Sequence, residues 1–309
     1  MEKNSAKSNI ALLSAAAIWG LAFVAQSDGM NYIGPFAFTC VRCFIGVFAL
    51  IPVCAVNLRA YAKTHTKKEL KLCVKRSCIL GAVCGTILFG ATITQQIGIQ
   101  YTSAGKSGFI TALYIVLVPV FGRIIFKNKT SPAAWVSVII AAAGLYLLCF
   151  KEDFSIGRGD IWVISCAFLF TFQILALDRF SEGTNSVLIS LVQFFMVSAI
   201  SFPFMLIIES MPTYTQLRGA GITILYTGIF SSAVAYTLQI VGQKSAKNPT
   251  VAALLMSMES VFAAISGAII LHERFSLREM GGVVLMLGAV ILSQFSSNEK
   301  GKVKTANDK

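Results

Sequence analysis

The segment Asn248 to Leu271, NPTVAALLMSMESVFAAISGAIIL, decides the fold. A helix rises about 1.5 Å per residue and a bilayer's hydrocarbon core is about 30 Å thick, so this segment can cross a membrane with Glu259 near the midplane. An ionised carboxylate costs about 2.5–3.5 kcal/mol there on insertion scales and more than about 10 kcal/mol in simulations of an isolated charge. A neighbour or a proton must offset that cost, which makes Glu259 a candidate functional residue. Its other reading is a structural acid tied to one helix partner.

Working outward, the 309 residues are 56% hydrophobic and 13% charged, against about 25% charged in soluble domains. Apolar runs long enough to span predict ten helices, roughly Ile10–Ser27, Ile33–Val56, Ser77–Ile99, Ala104–Phe126, Pro132–Phe150, Gly159–Leu177, Ser186–Ile208, Tyr214–Gly242, Asn248–Leu271 and Ser276–Phe295. The expectation is an all-α integral membrane protein with no soluble domain between spans.

The net charge of +12 does not point to nucleic acid, because the basic residues sit in loops and tails beside the spans. With the N-terminus inside, most of them, including the run RAYAKTHTKKELKLCVKR from Arg59 to Arg76, fall on the inner side. The outer connections hold only Lys106, Lys151, Arg158, Arg218, Arg274 and Arg278. The positive-inside rule then places both termini in the cytoplasm, and the basic run against anionic headgroups. Ala15, Ala16 and Ala17 in the first span resemble a secretory cleavage site. The apolar stretch continues past them through Trp19, Leu21 and Phe23, so a spanning helix is expected instead.

The eight cysteines lie mostly within spans or on the inner side and read as small apolar residues. Cys40 and Cys43 form a single CxxC without a second pair, and His65 and His272 are both in loops, so no metal and no cofactor are expected.

Arg42, in FTCVRCFIG of the second span, lies too deep for easy snorkelling. Arginine stays protonated, so it needs an acid, backbone carbonyls or an anionic substrate, and Glu259 is the one intramembrane acid that could neutralise it. Whether the two meet, directly or through water, stays open at this stage. Gly81 and Gly85 have the GxxxG spacing of a close helix contact. TITQQIGIQYTSAGKSGFI, with Gln95 and Gln96, reads as a polar cavity rim. Tyr114 and Pro119 follow at the centre of the fourth span, where Pro119 can kink the helix. Trp19 and Gln26 give the first span a polar side. Gln173, Gln193, Tyr226, Tyr236 and Gln239 supply polarity in the second half, and Gln173 and Gln193, which must find hydrogen bonds inside the bundle, read as substrate contacts or helix glue.

The connection KEDFSIGRGD, Lys151–Asp160, divides the chain into five spans on each side, and an odd number forces the halves to run in opposite senses. Laying residues 104–150 over 249–295 at an offset of 145 brings Tyr114 onto Glu259 and the turn KNKTSP onto HERFSL.

Together, ten spans in two inverted fives, the early IWG, the arginine in span two, YTSAGKSGFITALYIVLVP, and NPTVAALLMSMESVF ahead of HERFS resemble the EamA-type transporters of the drug/metabolite transporter superfamily. The resemblance runs from about Ile10 to Phe295. The family pattern is similar to SLEPVFA where this chain has Ser260 in place of the proline, which removes an expected kink beside Glu259. The resemblance implies two five-helix repeats, at 10–150 and 159–296, around a central cavity. A cytoplasmic tail (1–9), a linker (151–158) and a basic cytoplasmic tail (297–309) complete the chain. By motif position it implies that Trp19, Arg42, Tyr114 and Glu259 contact substrate; Gln26, Gln95, Gln173, Gln193 and Tyr236 join them on polarity and position.

The function expected is secondary transport of a small metabolite, amino acid-like or otherwise amphipathic, by alternating access across a bacterial plasma membrane, in the efflux direction. Its partners would be the small-molecule substrate, membrane lipids and protons carried by Glu259. No GxxxxGK[ST] sequence is present to supply nucleotide energy. The alternatives are a membrane-embedded enzyme acting on lipid or lipid-linked sugar, for which no HExxH or GxSxG set is found, and a non-transporting structural membrane protein. Neither the oligomeric state nor the substrate itself follows from the sequence.

Overall fold

A computed structural model describes residues 2–102, 104–128, 130–149, 157–246, 248–270 and 276–307. The linker residues 151–156 and the turn residues 272–275 lie outside this set. All regular structure among the described residues is helical. The first half holds α1 (Glu2–Gly29), α2 (Pro35–Thr64), α3 (Lys67–Ile99), α4 (Ala104–Thr111), α5 (Tyr114–Phe126) and α6 (Pro132–Cys149). In the second half, α7 (Arg158–Phe180) is followed by α8 (Ser186–Phe204), which runs into a π-helical turn at Met205–Glu209. Next come α9 (Tyr214–Gly219), α10 (Gly221–Tyr226), a π-helical stretch Thr227–Ala235, and α11 (Tyr236–Ser245). Then α12 (Pro249–Met256), α13 (Glu259–Ile270) and α14 (Leu277–Asn307) complete the order.

Eight helical segments among the described residues are long and apolar enough to cross a membrane, and Pro132–Leu148 is a shorter apolar helix. The tenth expected span opens α14. Local chemistry fixes several helix starts. Thr66 and Glu69 form a reciprocal capping box on α3, Asn185 accepts from the Leu188 amide at the start of α8, and Asn248 with Pro249 begins α12. In each case a side chain or a missing amide deals with donors that have no partner inside the helix.

Packing couples the two halves. Helix α2 lies along α8, and α6 along α14. Helix α3 packs on α7 and α8, while α1 packs on α11 and α13, and α2 also meets the π-helical Thr227–Ala235. Exchanging the first five spans for the second five carries α3 on α7 into α1 on α11, and α3 on α8 into α2 on the π-helical stretch. The pairs α2–α8 and α6–α14 map onto themselves. This is the pattern of two repeats related by a twofold exchange. The close approach of α3 to α8 depends on the GxxxG spacing: a Cβ on Gly81 would stand 2.7 Å from Val192 Cβ, and one on Gly85 2.8 Å from Met196 Cβ.

The fourth and ninth spans are both interrupted at mid-depth. Helix α4 gives way to α5 at Ala112–Leu113, and α12 to α13 at Ser257–Met258. These two breaks are related by the offset of 145 residues that overlays the halves in sequence. Pro119 lies inside α5, beyond the break, and the ninth span breaks with Ser260 where the family has proline. The interruption is therefore not a local proline effect at either site. Each break keeps short-range backbone bonding, with Leu113 N–H donating to Ile110 and Met258 N–H to Leu255, so the chain tightens there without leaving amides bare in a dry interior.

Candidate functional site

The two breaks place Tyr114 and Glu259 at the first positions of α5 and α13, facing each other. Tyr114 OH donates to Glu259 Oε1 at 3.1 Å. Helix α1 reaches this point closely, because a Cβ on Gly20 would come 2.7 Å from the Glu259 carbonyl oxygen. Around the pair lies a partly open cavity, whose empty space with the adjoining solvent amounts to about 510 Å³. It is lined by Trp19, Phe23, Gln26, Arg42, Gln95, Thr111, Tyr114, Phe170, Ile174, Ser231, Tyr236, Gln239, Met256 and Glu259.

Seven of the residues expected from sequence share this cavity: Trp19, Gln26, Arg42, Gln95, Tyr114, Tyr236 and Glu259. Trp19 is held edge-on to Tyr236, with ring centroids 4.9 Å apart, and its Nε1 donates to the Ser231 carbonyl at 3.4 Å. Tyr236 in turn packs edge-on against Phe194 at 5.2 Å. The Gln95 amide donates to Thr111 Oγ1 at 3.1 Å, and the Gln26 amide to its own helix at the Ala22 carbonyl, leaving Gln26 Oε1 without a partner. These fixed contacts pre-shape an aromatic wall and a polar wall.

Arg42 and Glu259 line the same cavity but form no ion pair with each other. Arg42 is only 4% exposed. Its guanidinium carbon stands 5.7 Å from the Phe38 ring centroid, within cation–π range, and its Nε makes no hydrogen bond. Glu259, also 4% exposed, has the Tyr114 hydroxyl as its hydrogen-bond partner. Among the described residues Arg42 has no ion-paired acid and Glu259 no ion-paired cation, and the two open on one space. Such groups are costly unless a ligand, water or proton completes them. Helix α2 is continuous from Pro35, so no break near that proline supplies carbonyls to Arg42.

Gln173 and Gln193 do not line the cavity. They stand behind its wall, in a chain of amides reaching from Gln239. Sequence reasoning left Phe23, Thr111, Phe170, Ile174, Ser231, Gln239 and Met256 out of the site. Helical spacing could have found several: Phe23 lies between Trp19 and Gln26 on one face, Thr111 and Met256 each precede the paired Tyr114 and Glu259 by three, and Gln239 follows Tyr236 by three. Among the described residues no group of three or more His, Cys, Asp and Glu could hold a metal ion. Seven of the eight cysteines, Cys40 and Cys43 among them, are free thiols.

Apolar spanning helices packed in two exchanged halves around a central cavity that holds a buried acid and a buried arginine define a helical membrane protein. The EamA-like transporter family profile matches residues 6–150 and again 157–295. The chain belongs to that family and is a membrane transporter. An uncharacterized transporter of Archaeoglobus fulgidus is 28% identical over 285 residues, covering 92% of this chain and 84% of the relative. The uncharacterized transporter YoaV of Bacillus subtilis is 20% identical, covering 94% and 98%. The WAT1-related chloroplastic protein At3g02690 of Arabidopsis thaliana is 25% identical, covering 92% and 68%. A solved crystal structure superposes with a TM-score of 0.75 at 15% identity, covering 95% of this chain and 98% of its own, a likeness of fold.

Proposed function

We propose that this chain is a secondary transporter that moves a small amphipathic metabolite, amino acid-like in carrying both charges, across a bacterial plasma membrane. Alternating access would come from movement between two repeats, 10–150 and 159–296. Both termini would lie in the cytoplasm, and net movement would be outward. The observation that carries this reading is the separation of Arg42 from Glu259 within one cavity. An α-carboxylate would complete Arg42 with bidentate, charge-assisted hydrogen bonds, and an ammonium would complete Glu259. Trp19, Phe23, Phe170 and Tyr236 would cover the apolar part of the solute. Gln26 and Gln95 would add polar contacts.

Glu259 is the candidate for proton coupling. Bound ammonium and a proton would compete for the same carboxylate, so loading one would release the other, which is the linkage an exchanger needs. The test of the substrate class is a thermal-shift screen of the purified chain against amino acids, sugars, nucleosides and cationic drugs, followed by flux of any hit in proteoliposomes. Stabilisation by amino acids that is lost in both Arg42→Gln and Glu259→Gln supports the reading. Stabilisation by neutral sugars alone, or an amino acid hit indifferent to both substitutions, overturns it.

A further inference from the structure

Helix α2 starts at Pro35 and α8 at Ser186, so the second and seventh spans overlay at an offset of 151 residues. At that offset Arg42 falls on Gln193 and Phe38 on Ile189. Packing supports the same pairing. A Cβ on Gly228 of the π-helical stretch would come 2.7 Å from the Arg42 carbonyl oxygen, and one on Gly85 of α3 2.9 Å from the Gln193 carbonyl oxygen. These two contacts change places when the halves are exchanged. The second span therefore carries a cation where the seventh carries a neutral amide.

The residue one turn before each differs as well. Phe38 and Ile189 are both 0% exposed, so burial alone asks only for an apolar side chain there. The aromatic ring stands at the position that precedes the charge. Arg42 Cζ lies 5.7 Å from the Phe38 ring centroid, on the same helix face, where the negative face of a ring attracts a cation. Two contacts fix that ring. A Cβ on Gly29, the last residue of α1, would collide with Cε2 of Phe38 and stand 2.9 Å from its Cδ2, so only glycine leaves room for the ring. The start of α2 is held from the other half, with Glu209 Oε1 accepting from the Phe36 amide at 2.9 Å and Oε2 from the Ala37 amide at 2.8 Å. Unlike an acid, the ring supplies no oxygen acceptor, and so it does not compete with a solute carboxylate for the bidentate N–H fork of Arg42.

We propose that Phe38 is a positioning residue for Arg42: its ring holds the guanidinium in the orientation that receives a solute carboxylate, and thereby strengthens the preference of the cavity for solutes that carry one. This rests on the reading of Arg42, which lines the cavity, as the carboxylate partner of an amino acid-like solute. Holding the side chain in place before binding removes an ordering cost that would otherwise lower the affinity. The gain falls on solutes that use the carboxylate contact and not on those that lack it, which separates it from the ring's share in packing the core.

The experiment uses the purified full chain and two matched pairs of solutes, leucine with leucinamide and phenylalanine with phenylalaninamide, which differ in carrying a carboxylate or a neutral amide. The readout is the ratio of dissociation constants, amide over acid. It is measured in wild type, in Phe38→Ile, and in protein carrying mono-, di- and trifluorinated phenylalanine at position 38. Isoleucine is the residue at the equivalent buried position, Ile189, and fluorination withdraws electron density from the ring face while nearly keeping its shape. Wild type is expected to prefer the acid of at least one pair by about 10- to 100-fold. Phe38→Ile lowers that ratio by about 3- to 10-fold, the worth of one cation–π contact, and the fluorinated series lowers it stepwise. A ring that only fills the core would shift Tm or weaken both members of a pair alike, and would leave the ratio unmoved.

If wild type prefers the acid but the preference survives Phe38→Ile undiminished, the inference is wrong while the cavity reading stands. The same holds if the ratio stays flat across the fluorinated series, and that series decides should Phe38→Ile not fold. If wild type shows no preference for the acid, or binds neither member of either pair, Arg42 is not the partner of a solute carboxylate, and the reading fails together with the inference.

Discussion

Tyr114 donates a hydrogen bond to Glu259 across a sequence separation of 145 residues, and 145 is the offset at which one half of the chain overlays the other. The contact is thus between equivalent positions of the two halves. Two residues related in this way share one environment but differ in chemistry: one is a neutral donor, the other a titratable acceptor. Two equivalent positions thus carry an asymmetric pair at the centre of the cavity.

That centre gives the first prediction. Glu259→Gln keeps a carbonyl oxygen for the Tyr114 hydroxyl and removes only the titration, so the protein should fold with nearly unchanged thermal stability. Flux measured in proteoliposomes across a pH series should lose its dependence on pH. A profile identical to wild type would remove Glu259 from coupling. Tyr114→Phe instead leaves the buried carboxylate without its hydroxyl partner, a loss of about 1–3 kcal/mol that thermal unfolding in detergent would detect.

Arg42 yields a separable expectation. Replacing it with Gln removes the buried charge that has no acid partner, which relieves a desolvation cost, so stability should hold or rise slightly. Affinity for a carboxylate-bearing solute should fall by about 10- to 100-fold, as expected for losing a hydrogen bond to a charged group worth about 1.5–3 kcal/mol. Arg42→Lys keeps the charge but not the planar fork, and recovery should be partial. Equal binding by all three forms, measured calorimetrically, would place the anion elsewhere.

A third expectation concerns the contact between the starts of α4 and α7. Asp160, at the start of α7, accepts from Lys106 Nζ of α4 at 2.6 Å and from the Gly157 amide at 2.7 Å through Oδ2, and from Thr102 at 3.1 Å through Oδ1. The Asp160 side chain is 3% exposed and that of Lys106 23%. This clamp joins the two halves at one end of the bundle. Asp160→Ala should destabilise by about 1–3 kcal/mol, and Asp160→Asn by less, because an amide can keep the Thr102 or Gly157 contact. Equal unfolding temperatures for wild type and Asp160→Ala would show the clamp to be energetically idle.

Depth and polarity were legible in the sequence, while azimuth and pairing were not. Glu259 and Arg42 stood out because a charge in the middle of an apolar run is costly wherever it faces. Gly81 and Gly85 stood out because their spacing has one common use in membranes. The gapless overlay made Tyr114 and Glu259 equivalent positions, but nothing in the sequence said that they meet. By contrast, Gln173 and Gln193 are as polar as Gln95, yet they face into the wall and not the cavity, a rotation about the helix axis that hydropathy does not encode. The π-helical stretch Thr227–Ala235 likewise has no residue signature. It lies where α2 crosses closely, a Cβ on Gly228 coming 2.7 Å from the Arg42 carbonyl, so tertiary packing accompanies a local winding that propensity does not dictate.

The last prediction tests how α1 is fitted to the central acid. A Cβ on Gly20 would lie 2.7 Å from the Glu259 carbonyl oxygen, the Ala263 amide nitrogen and Phe262 Cβ. Two of these atoms are backbone of the ninth span, which cannot turn aside as a flexible side chain can. Gly20→Ala must therefore push α1 away from α13, carrying Trp19 outward from the cavity, at a cost of about 1–3 kcal/mol typical of overpacking. Gly281 in α14 is the control, because nothing lies within 4 Å of a Cβ built there. Alanine at that helical position should be neutral or stabilising by up to about 1 kcal/mol from propensity. Opposite signs for the two substitutions in thermal unfolding, with ligand affinity lowered only in Gly20→Ala, would tie the α1 contact to the geometry of the site. Matching effects would mean that α1 can shift without disturbing Glu259.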